Sequence, residues 1–552
     1  MKAVGFDIGT TTICGIVVDV QTGEAVRVRT LENDTWMTGQ EYERLQDPEK
    51  IWEKVRGLYQ EFVQTYEDIA VVGLTGQMHG IVYVDESGRA VSPLYTWQDE
   101  RGNRIYEPAS SPDIWQDERG NTRCRKLCKE AQKKREPGED NRLEKVCAEP
   151  GKCVDRYLEG AESAGCAEQV TYAAALTALT GYPMATGYGL TTHYCNVRAG
   201  CVPEDAVKLC TIQDYIGMRL TGRRAPLTAS SDAASLGCFD LKEGCFDTGA
   251  IRRAGMDPAI LPETETGYAL LGKTGEQIPV SIAVGDNQAS VIGSVREMEG
   301  SLLINIGTSS QVSATVRGYR DYAGVELRPV AGEDYIFVGA GLCGGRAYAV
   351  LEQFFAQTVE AMTGTKPEGK LYGRMAKLLE ERERRQKKRN RTQEGGCCAK
   401  DAGGEMPENR YEASEGGNER TDGGRLTVDT RLCGTREHPE LTGAIRGITP
   451  WNVTPAELTF GVLGGMAEEL FSFYEIMRRY GAGEPKQLIG SGNAIRSNPY
   501  LRKLFEDRFR MKMRIPAYRE EASYGAVLFA LVSAGIFPSL DKAQRLISYC
   551  EE

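Results

Sequence analysis

One local pattern occurs twice in this chain, and it constrains the fold more than anything else in the sequence: a β-branched strand, a bend of glycine and hydroxyl residues, and a strand that returns. Lys2 to Phe6 runs into Asp7-Ile8-Gly9-Thr10-Thr11-Thr12 and then Ile13 to Val20. Far along the chain, Leu302 to Ile306 runs into Gly307-Thr308-Ser309-Ser310 and onward. Short apolar runs bounded by turn residues predict buried strands joined as hairpins. Both bends string hydroxyls and backbone N–H groups together, with glycines that let the main chain approach a ligand, which is what a phosphate requires of a turn. Asp7, at the head of the first bend, can hold Mg²⁺ directly or through water. Alone, either bend could be an ordinary hairpin; the recurrence favours two loops that share one polyphosphate.

A second run, Ser281 to Val284, reads as a buried strand that ends at Asp286-Asn287, just before the small residues Ala289 and Ser290. A carboxylate at a strand end can serve as a general base, and it can equally cap the helix that follows. A base placed shortly before a phosphate cradle suggests phosphoryl transfer. The remaining bounds agree. At 552 residues, two domains are expected. A net charge of −11 argues against a nucleic-acid groove or an anionic membrane as the main partner, so an anionic ligand must be held locally. The first residues lack a signal-peptide core and no later run approaches a membrane span, so a cytoplasmic protein is expected. Of the 16 cysteines, those outside two polar segments are scattered singly through apolar patterns, as reduced thiols are.

Taken in order, Asp47-Pro48 introduces a helix with an apolar stripe from Ile51 to Val63. Ile69 to Leu74 is a strand that delivers Thr75-Gly76-Gln77-Met78-His79-Gly80 at its C-terminal end, where open α/β sheets put ligand contacts. Gln77, Met78 and His79 are therefore candidate substrate contacts. Further on, Trp97 offers a flat apolar face and Asp99 a hydroxyl acceptor, a pair suited to gripping a sugar.

Together the bend at 5 to 12, T-G-Q-M-H-G, T-W-Q-D-E-R, G-D-N-Q-A-S and N-I-G-T-S-S resemble, in order, the motifs of the FGGY carbohydrate kinases. Ala185 to Gly189, Thr211 to Ile216 and Ser231 to Asp240 are most similar to the sedoheptulokinases within that family. The resemblance implies an α/β fold of two ribonuclease-H-like domains, as in actin and Hsp70, with a nucleotide and sugar cleft between them. It places the sugar-binding domain at 1–296 and the nucleotide-binding domain at 297–552. It implies ATP as phosphoryl donor with Mg²⁺, and a small-molecule sugar as acceptor, usually at the terminal hydroxyl of an open-chain ketose. Asp286 would be the base, with Asn287, Gln77, Met78, His79, Trp97 and Asp99 on the sugar. Asp7, Gly9, Thr10, Thr11, Thr12, Gly307, Thr308 and Ser309 would hold the phosphates. The turn Gly490-Ser491-Gly492-Asn493 would pass under the adenosine, and the small-residue helix from Ala522 would lie beside the adenine.

Two segments depart from the family. Residues 97 to 103, W-Q-D-E-R-G-N, recur at 115 to 121 inside a polar insert at 104–168, and the first copy is assigned to the sugar because it follows the expected hairpin. Cys124, Cys128, Cys147 and Cys153 there miss the tight spacing of a zinc knuckle. Residues 382–425 lack apolar periodicity and read as a solvated, disordered linker. Finally, Gly267 to Thr274 satisfies G-x₄-G-K-[ST], but neither flank supplies the buried strand and helix that a P-loop needs. A sugar sensor without catalysis remains the alternative of a different class, and intact Asp7, Thr10 and Asp286 argue against it.

Overall fold

The computed structural model describes residues 1–106, 170–395, 426–435, 438 and 440–550. Lys2–Ile8 (β1) and Thr12–Asp19 (β2) pair antiparallel, and Ala25–Glu32 (β3) continues outward from β2. Helix Pro48–Thr65 (α1) begins where the Asp47 carboxylate accepts from the N–H groups of Glu49 and Lys50 and Pro48 fills the first helical position. Its stripe of Ile51, Val55, Leu58 and Phe62 is buried in the core that includes Ile16 and Val18 of β2. Ile69–Gly76 (β4) lies parallel to β1 on its other side. Helices Ile212–Thr221 (α2) and Ser230–Leu236 (α3) precede the last strands of this sheet. Those are Leu270–Lys273 (β5), Pro279–Ser281 (β6) and Val284–Gly285 (β7), with β6 and β7 parallel to β4. Helix Asp286–Ser294 (α4) starts directly from β7.

Register is what builds the site. Ile8 of β1 and Gly285 of β7 both pair with Gly76 of β4, so the three strands end on one line. The bend at 9 to 11, the Gln77–His79 loop and Asp286 therefore emerge side by side at the C-terminal edge of parallel strands, where α/β sheets place ligands. The segment with P-loop spacing sits elsewhere. Lys273 ends β5, an edge strand antiparallel to β6, with its side chain exposed and a turn following it. Lys273→Ala should leave ADP release within about a factor of two of the parent, as for other exposed positions; a loss of several orders of magnitude would reinstate a P-loop.

The second sheet repeats the plan of the first. Ser301–Ile306 (β8) and Ser310–Arg317 (β9) form the central hairpin, Glu326–Ala331 (β10) and Asp334–Gly341 (β11) extend it outward from β9, and Gln487–Ser491 (β12) runs parallel to β8 with Met513–Arg514 (β13) beyond it. Each sheet has a hairpin, an antiparallel strand outside its second arm and a parallel strand beside its first. Helix Gly344–Thr363 (α5) follows β11. Helix Tyr372–Gly395 (α6) runs past Arg382, where the loss of apolar periodicity suggested that a linker begins. Charge pairing carries it there: Arg384, Arg385 and Lys387 each reach the acid four residues earlier, and Arg382 ties the helix to Glu457 of Pro455–Arg479 (α7). The second copy of W-Q-D-E-R-G-N, the four insert cysteines and residues 396–425 lie outside the described residues.

Helix Glu521–Ser533 (α8) returns from the second half to cover the first sheet. Val527, Leu528 and Leu531 join the core that contains Val4, Phe6, Val72 and Leu74. Gly525 and Gly293 let α8 and α4 touch backbone to backbone, since a methyl group on either would overlap main-chain atoms of the other helix. The small residues of α8 are thus explained by packing against the first sheet and α4. Among the described residues, all nine cysteines are free, and no helix is long and apolar enough to cross a membrane.

Candidate active site

The first bend is anchored from behind by its neighbours. The Gly9 carbonyl accepts from Asn33 Nδ2 at 2.8 Å, and the Thr10 carbonyl from Gln46 Nε2 at 2.9 Å. A trans peptide points its N–H away from its C=O, so these bonds turn the N–H groups of Thr10 and Thr11 outward. Gln77 is buried within this scaffold. Its backbone N–H donates to the Ile8 carbonyl, its Oε1 accepts from Thr10 Oγ1 at 3.2 Å, and its Nε2 donates to Gln46 at 2.9 Å. Trp97 is half exposed and donates from Nε1 to Thr10 Oγ1 at 2.9 Å. Gln77 and Trp97 thus lie with the phosphate-type bend, and Thr11 and Thr12 are exposed beside them.

Two acids flank this bend. Asp286 is the first residue of α4, and the cap position before it is held by Gly285. Asp286 therefore does not sit at the cap position, and the backbone bond its carboxylate takes is from the next residue, Asn287. Burial pushes Asp286 up to about 6, against the Arg328 guanidinium and the Asn287 N–H, which favour the charged form. Asp7 is raised to about 7 by burial and by the charges of Asp286 and Glu520. Acids that repel one another in a partly enclosed cleft fit a cation. Among the described residues no group of three or more acids, histidines or cysteines could hold a metal alone, so Mg²⁺ there would rest on Asp7, phosphate oxygens and water. Behind Asp286, Asp232 of α3 is fully buried and held well above the usual carboxylate range by burial and by Asp214; Gln213 donates to it at 2.9 Å.

A cavity of about 390 Å³, within the range of small-molecule sites, has in its wall Ser231, whose Oγ accepts from the N–H of Gly285; Asp286, the next residue, does not itself line it. Met78, His79, Tyr188, Ser235 and Lys242 line it from the first half, and Tyr319, Tyr322, Glu326 and Arg328 from the second. His79 has φ of 72°, an uncommon conformation for a residue with a side chain, and its ring stacks on Tyr188 with centroids 4.7 Å apart. Its Nδ1 lies 2.6 Å from the Ser235 carbonyl, which can only accept, so Nδ1 carries the proton. Asn287 donates to Gln311 Oε1 at 2.9 Å and accepts from Arg328 Nη1 at 3.2 Å, which ties the start of α4 to the second sheet.

Asp99 is not brought to this cavity. It is fully buried, and its two oxygens take four hydrogen bonds, from the backbone N–H groups of Arg44 and Arg101 and from Arg101 Nε and Nη2. Saturated in this way, the carboxylate serves an internal ion pair, and the sequence-based assignment to a sugar hydroxyl does not hold in this geometry.

The second bend exposes Gly307, Thr308 and Ser309. The N-terminus of α5 is pinned against it, with the Gly345 N–H on the Gly307 carbonyl at 3.1 Å and the Arg346 N–H on that of Thr308 at 3.0 Å. Asn305 of β8 pairs with Ser491 of β12, so the 490–493 turn ends beside this bend. Gly492 has φ of 84° and lies against Ile306 and Asn305, while Gly490 packs on Met513 and Ile495. Protein neighbours alone therefore require both glycines, independently of any purine. Ser491 is fully buried, and Asn493 is exposed at the start of helix Asn493–Ser497. The site residues that sequence reasoning missed are Arg328, Glu326 and Tyr322. The alternation Glu326-Leu327-Arg328 reads as the solvent face of an outer strand, and only the tertiary fold turns that face into the cleft.

Comparison with known proteins agrees with this architecture. The N-terminal domain of the FGGY family of carbohydrate kinases matches residues 2–126, and its C-terminal domain matches residues 302–534. Mouse sedoheptulokinase is 24% identical over 369 residues, 63% of this chain and 67% of its own. Xylulose kinase of Staphylococcus xylosus is 24% identical over 338 residues, 58% of this chain and 56% of its own. Among solved structures, ligand-bound xylulose kinase of Lactobacillus acidophilus superposes with a TM-score of 0.69 at 16% identity, covering 100% of this chain and 93% of that one. Plasmodium falciparum glycerol kinase with ADP gives 0.65 at 15% identity, covering 99% and 92%. At such identities the structures speak to the fold, which is the two-domain actin-like and Hsp70-like ATPase fold. Two family domains matched in order along a chain with twin sheets of one plan leave a single assignment: this protein belongs to the FGGY family of carbohydrate kinases.

Proposed function

We propose that this carbohydrate kinase transfers the γ-phosphoryl group of ATP to a terminal hydroxyl of a ketose, with sedoheptulose as the acceptor and its 7-phosphate as the product. The observation that carries the reading is Asp286: an acid at a strand end whose charge is felt by Asp7, and which lies one residue past Gly285, whose N–H reaches Ser231 in the wall of the acceptor cavity. In this reading residues 1–296 supply the sugar site and residues 297–552 most of the nucleotide site, with α8 lent back to the first sheet.

Each step falls to residues already described. The outward N–H groups of the 9–11 bend and the exposed bend at 307–309 receive the phosphates, and Mg²⁺, held by Asp7, would supply the positive charge that an acidic chain does not. Met78 and His79 orient the sugar, with the His79 ring fixed by Tyr188 and Ser235. Asp286 accepts the proton of the acceptor hydroxyl as that oxygen bonds to the γ-phosphorus, while the bond from the γ-phosphorus to the β,γ-bridging oxygen breaks and ADP leaves. Closure of the halves excludes water, which would otherwise take the phosphoryl group. Such a reaction belongs where ATP and free sugar are found, in the cytoplasm.

Sedoheptulose is favoured by the segments at 185–189, 211–216 and 231–240 and by the likeness to mouse sedoheptulokinase; xylulose and ribulose are the next candidates. ADP release measured against ketoses of five to seven carbons tests the reading. The highest kcat/KM is expected for sedoheptulose. A pentulose preferred over it would reassign the acceptor, and no ADP release with any of them would overturn the kinase reading itself. Because the base must be ionised, kcat should fall as pH drops through about 6, and a rate that keeps rising below that value would remove Asp286 from this role.

A further inference from the structure

We infer that Arg328, delivered from the second half on β10, is a positioning residue for the transfer: its guanidinium fixes Asn287 and sets the charge around the base Asp286. The inference rests on the reading of Asp286 as that base.

Two consecutive residues of β10 grip two consecutive residues of α4. Arg328 Nη1 donates to Asn287 Oδ1 at 3.2 Å, and Gln288 Nε2 donates to the Pro329 carbonyl at 3.0 Å. The gripped turn is the first of α4, the one that carries Asp286. Arg328 is itself held rigidly, with Nε and Nη2 on Glu326 Oε2 at 2.9 and 2.6 Å and its side chain only 12% exposed. It also lines the acceptor cavity. A planar cation so constrained can hold the neighbouring Asn287 amide in one geometry, which a flexible ammonium does less well.

Charge points the same way. The groups that face Asp286 are Asp7 from β1, Asp232 from α3, and Arg328 with its partner Glu326 from β10; Glu520, just before α8, faces Asp7. At Asp286 burial disfavours the negative charge, and that cost is opposed by the Arg328 guanidinium. Without it the base would hold its proton to higher pH. Because Arg328 arrives from the second half, the first half alone would hold a poorly ionised base, and bringing the halves together would complete it.

The test is the pH profile of kcat at saturating Mg-ATP and ketose. Arg328→Gln is expected to move the acid limb upward by about one unit, the low end of what an adjacent opposite charge does because Glu326 shares the guanidinium. Above the limb, kcat should be lower by about tenfold to a hundredfold, as loss of Asn287 alignment dictates, with KM for Mg-ATP unchanged. Arg328→Lys keeps the charge and should return the limb to its place while kcat stays reduced. Glu326→Gln/Arg328→Gln removes both charges, so Glu326 is not left without its ion-pair partner, and it should show the same shifted limb even if the single variant folds poorly. An unmoved limb in every variant that lacks the guanidinium, or a loss confined to KM for the ketose, would make Arg328 a cavity wall only. Asp286→Asn separates the two readings. If it keeps the parental limb, the base assignment has failed; if it abolishes the limb while the Arg328 variants do not move it, only this inference has.

Discussion

Asp286→Ala should lower kcat by about 10³- to 10⁴-fold, the upper part of the range for losing a positioned general base, while calorimetry still detects Mg-ATP binding. β7 ends level with β1 and β4, so Asp286 leaves the sheet beside the first phosphate-type bend, and Gly285 rather than Asp286 holds the cap position. Because Gly285 holds the cap position, the variant should stay folded and unfold close to the parental temperature. A variant that keeps a tenth of the parental rate would mean that another group, or water, takes the proton.

Asp99→Ala should behave in the opposite way, with a large loss of stability. Its carboxylate is fully buried and satisfies the Arg101 guanidinium, which is itself 7% exposed and also reaches Asn196 and Glu43. Deleting one partner of a buried pair leaves a desolvated charge and typically costs about 3–5 kcal/mol. The lower end is expected here because Glu43 keeps one contact. In denaturant titrations the variant should lose about that amount, and at temperatures where it stays folded its KM for the ketose should be nearly unchanged. A KM raised by orders of magnitude at parental stability would return Asp99 to the sugar.

The contrast between these two acids shows where local sequence is informative. Asp7, Asp286 and the bends at 9–12 and 307–310 are legible because each is the end of a strand, and a strand, its end and the turn after it are written in adjacent residues. The shared edge follows once the strands are parallel. Asp99 misleads because Trp97 and Asp99 look like a sugar grip, while the fold closes Arg101 onto the carboxylate and buries the pair. Arg328 is silent because only the packing of β10 against α4 turns its face of the strand inward. Likewise, the small residues of α8 mark a close approach without naming the partner, which proves to be the first sheet and α4. The helix through 382–395 is hidden from an apolar-periodicity argument because ion pairs carry it.

The central claim is that one cleft lines up the terminal phosphate of ATP with a sugar alcohol and leaves Asp286 to take the proton. Phosphorus NMR of the chain with Mg-ATP and sedoheptulose tests it most directly. The account predicts that the γ-phosphate signal is replaced, one for one with ADP, by a phosphomonoester coupled to the protons of a terminal CH₂, without free phosphate. ATP converted to ADP and inorganic phosphate with no ester formed, or an ester on a ring carbon, would contradict it.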